Sequence, residues 1–270
     1  MFERDPVILD QIEASLREIE ERDQVRVLYA VESGSRAWGF PSADSDYDVR
    51  FLYVQRPDWY LSINVDARRD VIERPLTDIL DVNGWDLRKA LGLYVKSNPP
   101  LLEWLRSPIV YRDQLGLAAR LRELLPLYHS PISSAHHYLQ MAKGNHREYL
   151  KGDAVRLKKY FYVIRPVLAV LWIEQGRGPA PTEFETLLTL IADRAELTAA
   201  IRDLLKRKKN GEELDLGPAI PVINQFLDDE LTRLADFQAP ARASALDLKP
   251  LNRVFQETLR QAWPDCRLEW

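Results

Sequence analysis

Residues 25–31 (VRVLYAV) and 47–54 (YDVRFLYV) are apolar runs of strand length, and the loop between them begins at Gly34-Ser35 and closes on Asp46-Tyr47-Asp48. Valine and aromatic residues dominate both runs, as suits a pleated and half-buried surface. In the second run Tyr47, Val49, Phe51 and Tyr53 alternate with Asp48, Arg50 and Leu52. Strand side chains point alternately to opposite faces, so Asp46, Asp48 and Arg50 share one side. A fold built on these runs needs a sheet, with two carboxylates where its second strand begins.

The rest of the chain supplies the cover. Asp5-Pro6 opens a helix in which Ile8, Ile12, Leu16 and Ile19 recur at helical spacing, to about residue 21. Residues 77–82 read as a third strand. A helix follows from Asp86, stopped by Asn98-Pro99-Pro100, and residues 101–106 form another short one. Beyond Pro126 the pattern changes. Segments 131–151, 153–175, 182–194, 195–210, 218–236 and 246–262 all carry helical periodicity, punctuated by proline or glycine. The expected class is α+β, with a mixed front domain over residues 1–125 and an all-helical domain over 126–270.

Composition excludes several classes. Apolar residues make up 46% and charged residues 29% of 270, ordinary for a globular protein able to bury a core. The net charge of −4 does not suit a protein that coats nucleic acid by charge alone. Cys266 is the single cysteine, so no internal disulfide forms. No apolar run approaches the ~18 residues of a membrane span, and residues 1–10 carry no apolar signal core. The expected location is the cytoplasm, without membrane association.

The loop carries the chemistry. A Gly-Ser turn after a strand presents backbone N–H groups and a hydroxyl, which suit an anionic phosphate, and glycine permits close approach. Two carboxylates on one face repel each other. A divalent cation removes that cost, and magnesium prefers carboxylates, phosphate oxygens and water. Taken alone, the aspartate pair also fits an ordinary acidic turn. Arg36 fits either a phosphate contact or an exposed loop arginine, and Arg50 either a salt-bridge partner of the aspartates or a phosphate contact. No zinc-binding Cys/His set, hydrolase triad, Walker lysine loop or Rossmann glycine pattern is present. His136 and His137 are adjacent and diverge on a helix. The run Lys206-Arg207-Lys208-Lys209 reads as a solvated helix end that compensates the dipole.

Strand, Gly34-Ser35, polar loop and Asp46-Tyr47-Asp48-Val49 together resemble the nucleotidyltransferase motif of the DNA polymerase beta superfamily. The fuller string GSRAWGFPSADSDYDVRFLYV is similar to bacterial and phage nucleotidyltransferases described as RNA-repair-pathway polymerase-beta-like. So are DVNGWDLRKAL…KSNPPLLEWL and LKKYFYVIRPVLAVLWI, so the likeness covers most of the first 175 residues. The resemblance implies a nucleoside triphosphate donor and magnesium, or manganese in its place. Asp46 and Asp48 are then the metal-holding carboxylates, and Gly34, Ser35 and Arg36 bind the nucleotide. It also implies a third carboxylate on a later strand, Asp81 or Asp86. Asp81 is preferred because it lies within residues 77–82, whereas Asp86 suits a helix N-cap. A lysine of the helical part is expected on the phosphates, Lys158 or Lys159, on one helix with Tyr160 and Arg165; Lys158 and Arg165 are a heptad apart and so share roughly one face. Tyr160, Phe161 and Tyr162 read as core packing. An RNA end, a protein side chain or a small molecule would each serve as acceptor. The competing readings are a nucleotide-binding regulator with little catalysis and an antitoxin-like partner module.

Overall fold

The computed structural model describes residues 5–76, 79–212, 214–237 and 246–266. Helix α1 (Pro6–Asp23) starts where expected: the Asp5 carboxylate caps it by accepting from the Val7 amide at 2.9 Å. It buries Ile12, Leu16 and Ile19. Strand β1 (Arg26–Glu32) leads into the short helix α2 (Gly34–Trp38), and β2 (Tyr47–Val54) follows the polar loop. Next come α3 (Pro57–Tyr60), β3 (Val71–Glu73) and β4 (Leu80–Asp86). Helices α4 (Leu87–Val95) and α5 (Pro99–Trp104) precede β5 (Val110–Asp113).

The five strands form one mixed sheet in the order β3-β4-β2-β1-β5. Only the β2–β4 pair is parallel, and its register sets Asp48 opposite Asp81. Both faces are covered. Val27, Val49, Phe51 and Tyr53 pack with α1, while Tyr29, Val31, Leu52 and Val54 pack with α4 and α5. The expected third strand thus begins later and runs further than residues 77–82. Residues 77–78 lie outside the described residues, and the strand continues to Asp86 because α4 cannot start before its cap.

Helix α6 (Leu117–Tyr128) carries the chain out of the sheet layer, across the position assigned to the domain boundary. The helical half comprises α7 (Pro131–Tyr149), α8 (Phe161–Glu174), α9 (Phe184–Leu188), α10 (Ala195–Lys209) and α11 (Pro221–Arg233). Residues 153–175 are not one helix. Strand β6 (Ala154–Arg156) pairs with β7 (Leu216–Pro218), and a 3-10 turn at Leu157–Tyr160 precedes α8. The last described helix, α12 (Lys249–Ala262), buries Leu251 and Val254 in the core shared by the sheet, α4 and α6. Among the described residues no helix is long and apolar enough to cross a membrane.

Among the contacts that join the halves are an aromatic insertion and a buried ion pair. Phe40, just after α2, inserts into the helical core, with ring centroids 4.9 Å from Phe161 and 5.4 Å from Phe184. Glu103 of α5 meets the buried Arg165 of α8 at 2.7 Å.

Candidate active site

Gly34 stands at the start of the site because no other residue fits there. Its φ is +56°, and an added Cβ would lie 2.0 Å from Asp48 Oδ2. The close approach brings the Gly-Ser turn against the β2 carboxylate. The Ser33 amide donates to the Asp48 carbonyl at 2.8 Å, which holds the two segments together.

Arg36 secures the far side of the loop. Its Nη2 donates to the Ser45 carbonyl at 2.7 Å and its Nε to the Asp46 carbonyl at 3.1 Å, while its guanidinium covers the Tyr47 ring at 3.7 Å. With Nε and Nη2 so engaged, this arginine orients the entry of β2.

Asp46 is exposed and Asp48 half-buried. Burial pushes the Asp48 carboxyl above the ordinary aspartate range; Arg50 opposes this, while Asp81 and Asp46 add to it. Arg50 Nη2 donates to Asp48 Oδ1 at 3.0 Å and to Asp81 Oδ2 at 2.7 Å. Of the two readings of Arg50, the structure shows the salt-bridge partner. Among the described residues no group of three His, Cys, Asp or Glu side chains lies close enough to hold a metal ion. The donor set still fits magnesium, which typically takes one or two carboxylates and completes its shell with substrate phosphates and water. Asp46 and Asp48, both on the cleft, are the carboxylates that could hold it there. Recruiting Asp81 as a third requires Arg50 to leave it.

Asp86 is not at this site. It caps α4, accepting from the Arg88 amide at 2.8 Å, and receives the Tyr60 hydroxyl at 2.5 Å. It lies at the opposite end of β4 from Asp81.

Opposite the aspartates stands a cationic wall from the helical half. A narrow cleft of about 80 Å³, the space of a few water molecules, is lined by Ser35, Ser42, Asp46, Asp48 and Lys158, and by Tyr162 and Lys208. Lys158 lies in the 3-10 turn rather than on α8, its amide bonded to the Leu214 carbonyl at 2.9 Å. Lys159 instead packs between Tyr149 and Tyr162, at 4.5 and 4.7 Å from their ring centroids. Arg165 is buried against Glu103 and the Thr182 carbonyl, so it shares no face with Lys158. The larger concavities, about 590 and 500 Å³, are open grooves, one on the helical half and one between the end of α4 and α7, and contain none of the predicted residues.

Four contributors escaped the sequence reading. Glu32 ends β1, fully buried, and accepts the Asp48 amide at 2.7 Å and the Tyr111 hydroxyl. Burial pushes its carboxyl up to about 7, against the lowering effect of those two hydrogen bonds. Tyr162, read as core, is half-buried on the cleft wall. Its hydroxyl is raised by burial first and then by Asp48 and Asp46. Trp38 stands edge-on to it at 5.5 Å. Lys208, read as part of a solvated helix end, is only 5% exposed and turns into the cleft. The i, i+4 relation of Lys208 to the buried Leu204 was the available signal, masked by charged neighbours on both sides.

The profile of the RNA repair pathway DNA polymerase beta family matches residues 8–257. The chain belongs to that family. Nucleotidyl transfer is thereby its general kind of chemistry, and the α+β class agrees with the expectation from sequence. An uncharacterised protein of Bacillus subtilis (strain 168), YcgL, is 48% identical over 251 residues, which cover 93% of this chain and 96% of that protein. A solved structure described as a nucleotidyltransferase-like protein from Exiguobacterium sibiricum 255-15 aligns over 96% of this chain and 91% of its own. Identity there is 10% and the TM-score 0.34, too slight a likeness to carry an argument.

Proposed function

We propose that the protein transfers a nucleoside monophosphate from a nucleoside triphosphate to the hydroxyl of an acceptor, with release of pyrophosphate. One observation carries the reading. The Gly34-Ser35 turn, the carboxylates of Asp46 and Asp48, and Lys158 all border one narrow cleft, so anion donors and cation ligands face each other across it. The oxygen of the acceptor hydroxyl forms a bond to the α-phosphorus, the bond to the bridging oxygen breaks, and pyrophosphate departs with that electron pair. Asp81 takes the hydroxyl proton once Arg50 releases it. Gly34 and Ser35 hold the phosphates through backbone N–H and hydroxyl, and Lys158 faces the accumulating charge. A magnesium ion held by Asp46 and Asp48, when bound, supplies Lewis-acid neutralisation of the phosphates.

The acceptor we propose is an RNA end, supported by the family's description. Charge gives no separate support, since the chain is mildly acidic.

Calorimetric titration of each of the four ribonucleoside triphosphates with Mg²⁺, against the Asp46→Asn/Asp48→Asn variant, tests the donor. Metal-dependent binding of a nucleotide that the double variant loses supports the transferase. Absence of binding by the native protein sinks it.

A second reading has one observation behind it. Arg50 lies across Asp48 and Asp81, as a protein that binds nucleotide and transfers little would require. Single-turnover assay of the native protein with a labelled triphosphate and an RNA acceptor distinguishes the two: transfer of the label supports the transferase, and tight nucleotide binding without transfer supports the regulator.

A further inference from the structure

Lys208 is a largely buried lysine whose amine opens on the cleft with little to hold it. It projects from the last turn of α10 and is 5% exposed. Its hydrogen-bond partner is the Ser42 hydroxyl at 3.4 Å, and the Phe40 ring lies 5.7 Å away. Among the described residues no carboxylate comes within salt-bridge distance of it. Burying an ammonium without a counter-charge is costly. Its neighbours worsen the balance. Burial first, and then Lys158, hold Lys208 below the ordinary lysine range, and Arg36 adds to the effect; Asp44 alone opposes it. Two cations drawn to one cleft, one of them buried, form a site that an anion completes.

The position of that anion is marked by hydroxyls. Ser35 Oγ lies 3.3 Å from Ser45 Oγ, Ser45 Oγ lies 2.9 Å from Ser42 Oγ, and Ser42 leads to Lys208. The polar path therefore starts at the Gly-Ser turn and ends at the lysine, and Lys158 borders the same cleft. A single phosphate at the turn would not use the far end of this path. A chain of phosphates would.

We infer that Lys208, with Ser42 and Lys158, holds the pyrophosphate portion of the donor and makes the protein select nucleotides that carry a polyphosphate. The inference rests on the nucleotidyl-transfer reading and assigns one end of that site. When the bond to the α-phosphorus breaks, the bridging oxygen leaves with the electron pair and pyrophosphate gains one negative charge. Lys208 and Lys158 face that charge, so the residue that selects the donor also stabilises the leaving group. The contact further ties α10 to the loop that precedes Asp46, across the two halves of the molecule.

The test uses the full chain and inorganic pyrophosphate, followed by calorimetry without nucleotide, in the native protein and in Lys208→Met and Lys208→Arg. Native binding is expected to weaken at least tenfold in Lys208→Met and to return in part in Lys208→Arg. The thermal midpoint of Lys208→Met, measured without ligand, is expected to equal or exceed the native value, because an unpaired buried charge is gone. A lower midpoint, or equal pyrophosphate affinity in all three proteins, overturns the inference. The transferase reading fails separately. Lys208-dependent pyrophosphate binding without nucleotide transfer leaves the anion site standing and removes the transferase. Transfer with an unchanged KM for the triphosphate in Lys208→Met does the reverse.

Discussion

At the scale of single residues, the site depends on positions where a side chain is either forbidden or expensive. Gly34→Ala places a methyl against Asp48 Oδ2 in left-handed backbone. The conformation alone costs about 1 kcal/mol, and the displaced carboxylate costs function. Turnover is expected to fall by about two orders of magnitude, as a misplaced reacting group does, with only a modest drop in melting temperature; single-turnover assay and thermal denaturation check the two separately. Asp81 and Asp86 were the rival third carboxylates, and spacing alone left them open. Asp81→Asn is expected to abolish transfer, whereas Asp86→Asn retains it, since asparagine also caps a helix. Equal loss in both would reject the assignment. Asp86 also shapes stability against pH. Burial raises its carboxyl from 3.8 to about 6, despite the Tyr60 hydrogen bond. The folded state therefore binds the proton more tightly than the unfolded chain. Stability is greatest below about pH 4 for this group and falls as pH rises through 6, by about 3 kcal/mol in total. Asp86→Asn should flatten that part of the profile in denaturant titrations from pH 4 to 8. An unchanged slope would remove Asp86 as the cause.

At the scale of elements, short runs were legible where burial is one-sided and patterned, and illegible where it depends on a distant neighbour. Helix α1 and strands β1 and β2 follow from capping, periodicity and alternation. Strand β6 does not, because its pairing partner β7 lies some sixty residues away and both strands are three residues long. Periodicity therefore extended α8 backwards over Lys158, and the face shared with Arg165 vanished with that error. Strand β4 illustrates a further dependence. Gly84 accommodates the Phe51 ring from β2, and a Cβ there would lie 2.2 Å from that ring. Gly84→Val is expected to destabilise the protein by about 2–4 kcal/mol through overpacking and a displaced aromatic. Combining it with Phe51→Leu should recover part of that loss in a double-mutant cycle; strictly additive losses would show that the two do not share the space.

At the scale of the whole molecule, the chain closes on itself. Helix α12 is the last described helix, yet its Leu251 and Val254 pack with the sheet, α4 and α6, and Arg120 pairs with Glu257 at 2.6 Å. We propose that the front unit includes this C-terminal helix, and that residues 1–125 alone lack part of their core. Leu251→Ala is then expected to cost about 2–5 kcal/mol and to shift the unfolding of the whole protein as one transition. A separate early transition confined to the C terminus would contradict this. The amino-acid sequence by itself determined the class of the fold, its central strand pair, the glycine turn and the two leading aspartates, because each rests on local spacing or on a backbone rule. Only the tertiary structure decided that Glu32 supports the Asp48 amide, that Arg50 joins Asp48 to Asp81, and that Lys208 enters the cleft. Local spacing leaves each of these residues with more than one reading, and an element distant in the chain decides it: a charged side chain reads as solvated until the packing of another element removes its water.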